Sequence, residues 1–462
     1  MKHSLSITAF ILITYSLVLT AVLTYQPIMN RVLQNARALK NKASTSASPA
    51  SALHAPKSSI ADNAIGASSS SQLNSSSAGQ SCINYDASTR TITVSCSSAR
   101  LTDIDNKLHD ASVLAKQSPN GIWFLSANLV IAKGATFHID STDTKWLKIS
   151  SKVVSNIGAS KFGPAYWIDV HGSLKINSVK ITSWDPTTNY YARTNGSRTG
   201  TDVFILGAPR PSIVVENNAT GTTDITNSEI AYLGYEQGKH KGGSGLSYYY
   251  GGDGSVIKNN IIREVYFGLY TFGVGHMIVE NNVIRNSGHY GLDPHTGTHD
   301  MVIRNNTVYN NNGSGIICSL NCYNILIENN KVHDNAENGI DFSRNMYNSI
   351  ARNNIVYNEP SGIFVSQSHN NQIYNNAISK SGSGFSVNSG SSNNKLYNNT
   401  ISNSKNNAIL IASGASGNTF TSNKIASLTP EGAKIVQDST SKNNIFLNNQ
   451  IIHPAVNTPT DT

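Results

Sequence analysis

The sequence has little charge. Of its 462 residues only 13% are Asp, Glu, Lys or Arg, and there are four cysteines, 13 prolines and five methionines. So few prolines exclude a collagen-like or proline-rich rod. Sparse charge beside 39% hydrophobic residues excludes wholesale disorder, since there is apolar surface enough for a sizeable core. Dense Lys/Arg runs with interleaved aromatics are also missing, which leaves nucleic-acid binding without support. The formal net charge of +8 is concentrated at one end. Residues 1–80 carry Lys2, Arg31, Arg37, Lys40, Lys42 and Lys57 against Asp62 alone, a surplus of +5 that leaves +3 for the rest. What the chain has in abundance is asparagine: 56 residues, 39 of them from Asn259 to Asn449. Asn is a mediocre helix former that prefers turns and caps, so a long helical bundle is excluded.

The ends differ from the body. Leu5 to Tyr25 is an uncharged, mostly apolar run of 21 residues between Lys2 and Arg31. That length spans a bilayer as a helix. No small-x-small cleavage site directly follows it, which favours an uncleaved anchor over a signal peptide for residues 1–28. The body is then exported and tethered at the cell surface, or secreted if the segment is cleaved. Residues 29–80 are rich in Ser and Ala (Ser69 to Ser71, Ser75 to Ser77) and form a flexible linker. Residues 81–120 read as a hairpin and cap, with a short capping helix over Leu101 to Leu114. Cys82 and Cys96 bracket the alternating segment Ile83 to Ser95 and are disulfide candidates in an oxidising compartment. Residues 121–450 are the repeating body, and 451–462 a C-terminal tail.

The repeat decides the fold. Asn pairs close short apolar stretches at Asn259-Asn260, Asn281-Asn282, Asn305-Asn306, Asn329-Asn330, Asn353-Asn354, Asn375-Asn376 and Asn398-Asn399, at spacings of 22, 24, 24, 24, 22 and 23. A glycine series keeps the same phase: Gly245, Gly268, Gly291, Gly315, Gly339, Gly362 and Gly384. Units of 22–24 residues are too short for helix pairs, and Val, Ile and Tyr with Asn and Gly at corners favour strands. Leu is too rare for a leucine-rich repeat. The expected fold is all-β, a right-handed parallel β-helix of about three short strands per coil. Asn side chains would hydrogen-bond between equivalent turns of successive coils.

Alternation after each glycine predicts an outward ladder. It runs Ser247 and Tyr249, Tyr270 and Phe272, Asp293 and His295, Ile317 and Ser319, Asp341 and Ser343, Phe364 and Ser366. With coils about 4.8 Å apart, this is a long groove suited to an extended polymer. One coil breaks the bland pattern: His289-Tyr290-Gly291-Leu292-Asp293-Pro294-His295. Proline removes a ladder donor and is unusual in a central strand. Asp293 and His295 share a face, with Tyr290 at the corner before them. Tyr248, Tyr249, Tyr250 and Tyr270 are candidate sugar-stacking platforms, and Ser319 and Asp341 line the same groove. Cys318 and Cys322 are a disulfide or two separate thiols. Two cysteines do not make a zinc site, so neither metal nor cofactor is expected.

The segment Tyr290 to His295 resembles the Tyr-Gly-x-Asp-Pro-His signature of the mannuronan C5-epimerases, β-helix enzymes that act on alginate. Ile181-Thr182-Ser183-Trp184-Asp185, Arg210-Pro211, Tyr232-Leu233-Gly234-Tyr235 and Gly245-Leu246-Ser247-Tyr248 resemble upstream motifs of that family's periplasmic branch, in the same order. The likeness runs over roughly residues 180–410. It departs at Thr296, where that branch carries an acidic residue, and at Asn312 and Ser314, where a basic residue is expected.

Epimerising a uronate requires a base for the C5 proton, a proton donor on the opposite face, and neutralisation of the substrate carboxylate. His295 has the natural pKa for the base, whereas His289 precedes the corner and points away. Tyr290 is the donor, a role the resemblance also implies. Asp293 either orients His295 or, if protonated, donates to the substrate carboxylate. Arg344 stands two coils beyond His295 to neutralise that carboxylate, and the resemblance places an Arg-Asn pair at Arg344-Asn345. The expected activity is conversion of β-D-mannuronate to α-L-guluronate within a linear anionic polysaccharide, by a monomer. A polyuronate lyase removes the same proton and then expels the C4 substituent; a noncatalytic binder would use only the groove.

Overall fold

The computed structural model describes residues 81–152, 165–192, 209–235 and 241–452. The anchor and linker expected over 1–80, and the tail from 453 onward, lie outside the described residues. Among the described residues no helix is long and apolar enough to cross a membrane.

The body winds through three long sheets, with one strand of each sheet per coil. In the first, fourteen strands follow one another from Ile83–Asp86 to Ile435–Gln437 and include Gly245–Tyr249, Phe267–Phe272, Leu292–His295, Ile316–Ser319 and Asn338–Ser343. This is the groove sheet. A 13-stranded sheet and a second 14-stranded sheet complete the coil. Among the described residues pairing is parallel, apart from the hairpin Ile83–Asp86/Thr91–Val94 and the pair Leu114–Gln117/Ile122–Leu125 at the N-terminal end and one isolated antiparallel bridge, Asp185–Tyr190. The architecture is a parallel β-helix.

Each strand alternates, so inward residues stack from coil to coil. Ile284, Val308, Val332 and Val356 form one fully buried column, and Ile303, Ile327, Ala351 and Ile373 another. These columns merge into a single apolar core running the length of the described body. The three-residue strands (Val302–Arg304, Thr307–Tyr309) place one side chain inside and two outside. That explains why so little apolar sequence suffices for each coil.

The Asn pairs divide their labour. The first member takes the left-handed backbone conformation at the corner, with φ near 56° at Asn281, Asn305, Asn329 and Asn353. Asn tolerates this region better than other side-chain-bearing residues. The second member turns inward and builds a ladder. Asn330 Nδ2 donates to Asn354 Oδ1 at 3.0 Å and to the Ile303 carbonyl at 2.9 Å. Its Oδ1 accepts from the backbone and side chain of Asn306. The same bonds recur from Asn260 to Asn449. A corner thus satisfies its buried polar groups by stacking amides.

At the N-terminal end α1 (Leu101–Leu108) covers the core, burying Leu101 and Ile104. The cap expected over Leu101 to Leu114 is shorter than that. His109 takes the left-handed conformation (φ 48°) and ends the helix, and Leu114 opens a strand. Cys82 and Cys96 are joined by a disulfide across the ends of the first hairpin, Cα–Cα 4.9 Å. Cys318 and Cys322 are separate, buried thiols.

Candidate active site

The groove sheet keeps the register read from the sequence. Tyr270 pairs with Asp293 and Phe272 with His295. His295 then pairs with Ser319, and Ser319 with Ser343. At Pro294 the ladder toward the next coil is interrupted, and pairing resumes only at Leu292–Ile316 and His295–Ser319. The proline has no N–H to give. Its carbonyl accepts the Cys322 thiol at 3.5 Å, so a buried cysteine satisfies part of the gap.

His295 is packed beside Tyr270 and Phe272, with ring centroids at 5.5 and 6.0 Å. Its Nε2 lies 3.2 Å from Arg344 Nη2. A guanidinium only donates, so Nε2 carries the lone pair. The ring proton then belongs on Nδ1, which faces the Thr296 hydroxyl. Burial, assisted by the Arg344 charge, lowers the His295 pKa to about 4. A neutral imidazole with an outward lone pair on Nε2 is the result. Arg344 reaches it from a left-handed residue (φ 50°) just past the strand Asn338–Ser343, and also donates to Ser319 Oγ at 2.6 Å. Ser319 therefore positions the guanidinium.

The acids behave differently from surface carboxylates. Asp293 is 2% exposed and Asp341 5%. Burial raises the Asp293 pKa far above the carboxylate range; the nearby Asp341 charge adds to this and Arg344 opposes it. Burial likewise pushes Asp341 up to about 7, against a hydrogen bond from Asn338. Among the described residues neither Asp293 Oδ1 nor Asp341 Oδ1 has a hydrogen-bond partner. A carboxyl whose pKa is raised in this way can donate a hydrogen bond when it is protonated. No hydrogen bond joins Asp293 to His295 among those described.

Burial raises the Tyr290 phenol pKa above its ordinary value, and the nearby Glu337 charge adds to this. The Tyr290 and His289 rings meet tilted by 52°, centroids 3.9 Å apart, over the space that Gly313 leaves open. His289 is packed against Phe267 at 5.2 Å. Burial lowers its pKa, and it makes no contact with His295 among those described.

Of the four expected platforms, Tyr249 and Tyr270 are partly exposed, Tyr250 is exposed and meets Phe272 edge-on at 5.0 Å, and Tyr248 is not accessible at all. Tyr249 and Tyr270 lie on the groove with centroids 5.6 Å apart, and Phe272 joins them. Tyr248 is fully buried, with its hydroxyl donating to the Thr223 carbonyl at 2.9 Å. It is a core residue, because alternation turns it inward between Ser247 and Tyr249, and it cannot stack on substrate. Glu337, exposed to solvent beside Ser314, was missed by sequence reasoning. Its only signal was its place one residue before the groove strand.

The fold and site together define a parallel β-helix whose open sheet carries an imidazole of lowered pKa, a guanidinium and buried acids of raised pKa. Three comparisons bear on its kinship. A family profile described as "Periplasmic copper-binding protein (NosD)" matches residues 215–427. A mannuronan C5-epimerase of Pseudomonas syringae pv. tomato is 29% identical over 195 residues, 40% of this chain and 32% of that protein. The chain thus spans about a third of the length of that curated relative. The periplasmic alginate epimerase AlgG superposes with a TM-score of 0.67 at 21% identity, over 78% of this chain and 85% of AlgG. A mutant of AlgG gives 0.67 at 22%. The resemblance to mannuronan C5-epimerases is thus carried by a sequence relative over 195 residues and by the coil architecture.

Proposed function

We propose that this chain is a polyuronate C5-epimerase, converting β-D-mannuronate to α-L-guluronate within a linear polymer. The observation that carries the reading is the 3.2 Å contact of His295 Nε2 with Arg344 on the floor of the groove. The substrate carboxylate draws Arg344 to itself and frees the Nε2 lone pair for the neighbouring C5 proton. The electron pair of the broken C–H bond passes into the carboxylate, which becomes an enolate dianion. Arg344 and protonated Asp293 hold that added charge. Tyr290 delivers its phenolic proton to C5 from the opposite face and recovers one from solvent, while His295 releases the one it took. One C–H bond breaks and one forms.

Tyr249, Tyr270 and Phe272 provide flat surfaces for neighbouring sugars, and Ser319 and Asp341 complete the substrate contacts. No step calls on the copper in the NosD description; the residues whose donor set fits a cation stand at a different corner, at His276, His299 and Asp300. The same proposal has the coils wind right-handed, the hand taken by about 98% of parallel crossover connections. It places the protein outside the cytoplasm, in keeping with the Cys82–Cys96 disulfide, and assigns Leu5 to Tyr25 to export or anchoring.

Deuterium exchange at C5 tests the assignment. His295→Ala should abolish incorporation from heavy water while leaving the circular dichroism of the β-helix intact. Retained exchange in that variant removes His295 from the base role. Accumulation of an unsaturated, ultraviolet-absorbing uronate by the wild-type protein, without guluronate, makes it a lyase. No exchange at all makes it a binder.

A further inference from the structure

The corner that follows the groove sheet carries two side-chain columns of its own. Gly275, His299, Tyr323, Tyr347 and His369 bridge one another in succession. The residue after each is left-handed: His276 (φ 60°), Asp300 (51°), Asn324 (55°), Asn348 (50°) and Asn370 (58°). Asn, Asp and His are all enriched at such positions, and two adjacent coils carry His276 and Asp300 where the later ones carry Asn. Both are metal-ligating types, and the residue beside Asp300 is a second histidine.

These three side chains converge. His276, His299 and Asp300 each offer one ligand atom, and all three atoms lie within 4.8 Å of one another. His299 Nδ1 and Asp300 Oδ2 are 2.8 Å apart, and the rings of His276 and His299 meet edge-on at 5.7 Å. The sequence makes room for this. A Cβ at position 275 would stand 2.6 Å from His299 Cε1, so only glycine leaves the ring its place. Tyr323 stacks on His299 at 5.0 Å and fixes its plane. Asp253 anchors the same corner from the preceding coil, accepting the Gly275 N–H at 3.0 Å.

We propose that His276, His299 and Asp300 form a surface site for a divalent first-row transition-metal ion of the zinc or copper(II) class. Two imidazole nitrogens and one carboxylate oxygen are the donor set of that class, whereas calcium and magnesium select all-oxygen shells. Ligand bonds of about 2.1 Å put tetrahedral ligand atoms about 3.4 Å apart, so separations of up to 4.8 Å must close by as much as about 1.4 Å, which rotation of the exposed His276 side chain supplies. Solvent fills the remaining positions, so the ion ties two coils together. It acts on the groove only through the chain: Thr298, next to His299, donates its hydroxyl to the His295 carbonyl at 2.8 Å. The role is to brace the turn Thr296–Thr298 where it leaves the groove.

The test uses the full chain, stripped with chelator and titrated with Zn²⁺ by calorimetry and with Cu²⁺ by electron paramagnetic resonance. His276→Asn and Asp300→Asn install the residue that neighbouring coils carry at the same corner, so the coil is retained. The expected result is saturable binding with nitrogen hyperfine structure, weakened at least tenfold in either variant, and a metal-dependent rise in Tm that both variants lose. His369→Ala, further along the column, should leave binding unchanged. Absence of saturable binding, or affinity unaltered in both variants, overturns the site.

Discussion

Arg344→Gln separates what burial does to His295 from what charge does. The guanidinium stands 3.2 Å from Nε2. At that separation a unit charge acts on an imidazolium by about 5 kcal/mol at an effective dielectric constant near 20, and by about 1.3 kcal/mol in water. Arg344 is exposed, so the lower end governs: about 1–2 kcal/mol, or roughly one pKa unit. Losing the charge should therefore move His295 upward from about 4 by about one unit. It should stay below the ordinary histidine value, because burial, the larger cause, remains. The base works unprotonated, so the acid limb of kcat/KM shifts to higher pH by the same amount. Above that limb kcat should still fall about 10²–10³-fold, since the enolate loses its principal donor. Guluronate formation on polymannuronate, followed by proton NMR across a pH series, reads both effects. Arg344→Lys should hold the limb near its wild-type position while recovering only part of kcat. An unmoved limb together with an undiminished kcat would refute the carboxylate-neutralising role.

Asn330→Ala should cost at least about 3 kcal/mol in urea unfolding, because it leaves Asn306, Asn354 and the Ile303 carbonyl without partners in a buried corner. Glu359 takes an amide's place in a parallel ladder, accepting from Asn335, and burial raises its pKa to about 8. The folded state thus retains a proton that the unfolded chain releases near the ordinary value of 4.5, so stability is lost as pH rises between those limits. Glu359→Asn should flatten that dependence, read from urea midpoints at pH 5 and pH 8. Tyr248→Phe should lower stability by about 1 kcal/mol through the lost Thr223 bond and leave KM for polymannuronate unchanged. A raised KM would return Tyr248 to the groove.

The coil was legible in the sequence because the two members of each Asn pair meet different physical demands at a fixed interval. One must tolerate a left-handed backbone and the other must stack, and no other residue type does both as readily. The groove ladder followed from strand parity. Tyr248 was misread because its residue type was weighed above that parity, which already turns it inward. Asp293 was legible as a groove residue, but its raised pKa was not, since that depends on neighbours such as Asp341 contributed by other coils. Arg344 could be placed two coils along, yet its reach to His295 depends on a left-handed φ that returns the side chain across the sheet. The capping helix was overextended because nothing local marks His109 as a stop. The His276, His299 and Asp300 cluster was invisible to spacing alone, since adjacency at a corner depends on the register of stacked coils.

The central claim is proton removal and return at C5 by His295 and Tyr290. A proton-NMR time course of the wild-type protein on polymannuronate in heavy water tests it most directly. Guluronate signals should grow with deuterium at C5 and without unsaturated product. Guluronate that keeps its original C5 proton, or mannuronate unchanged in both configuration and isotope, contradicts it.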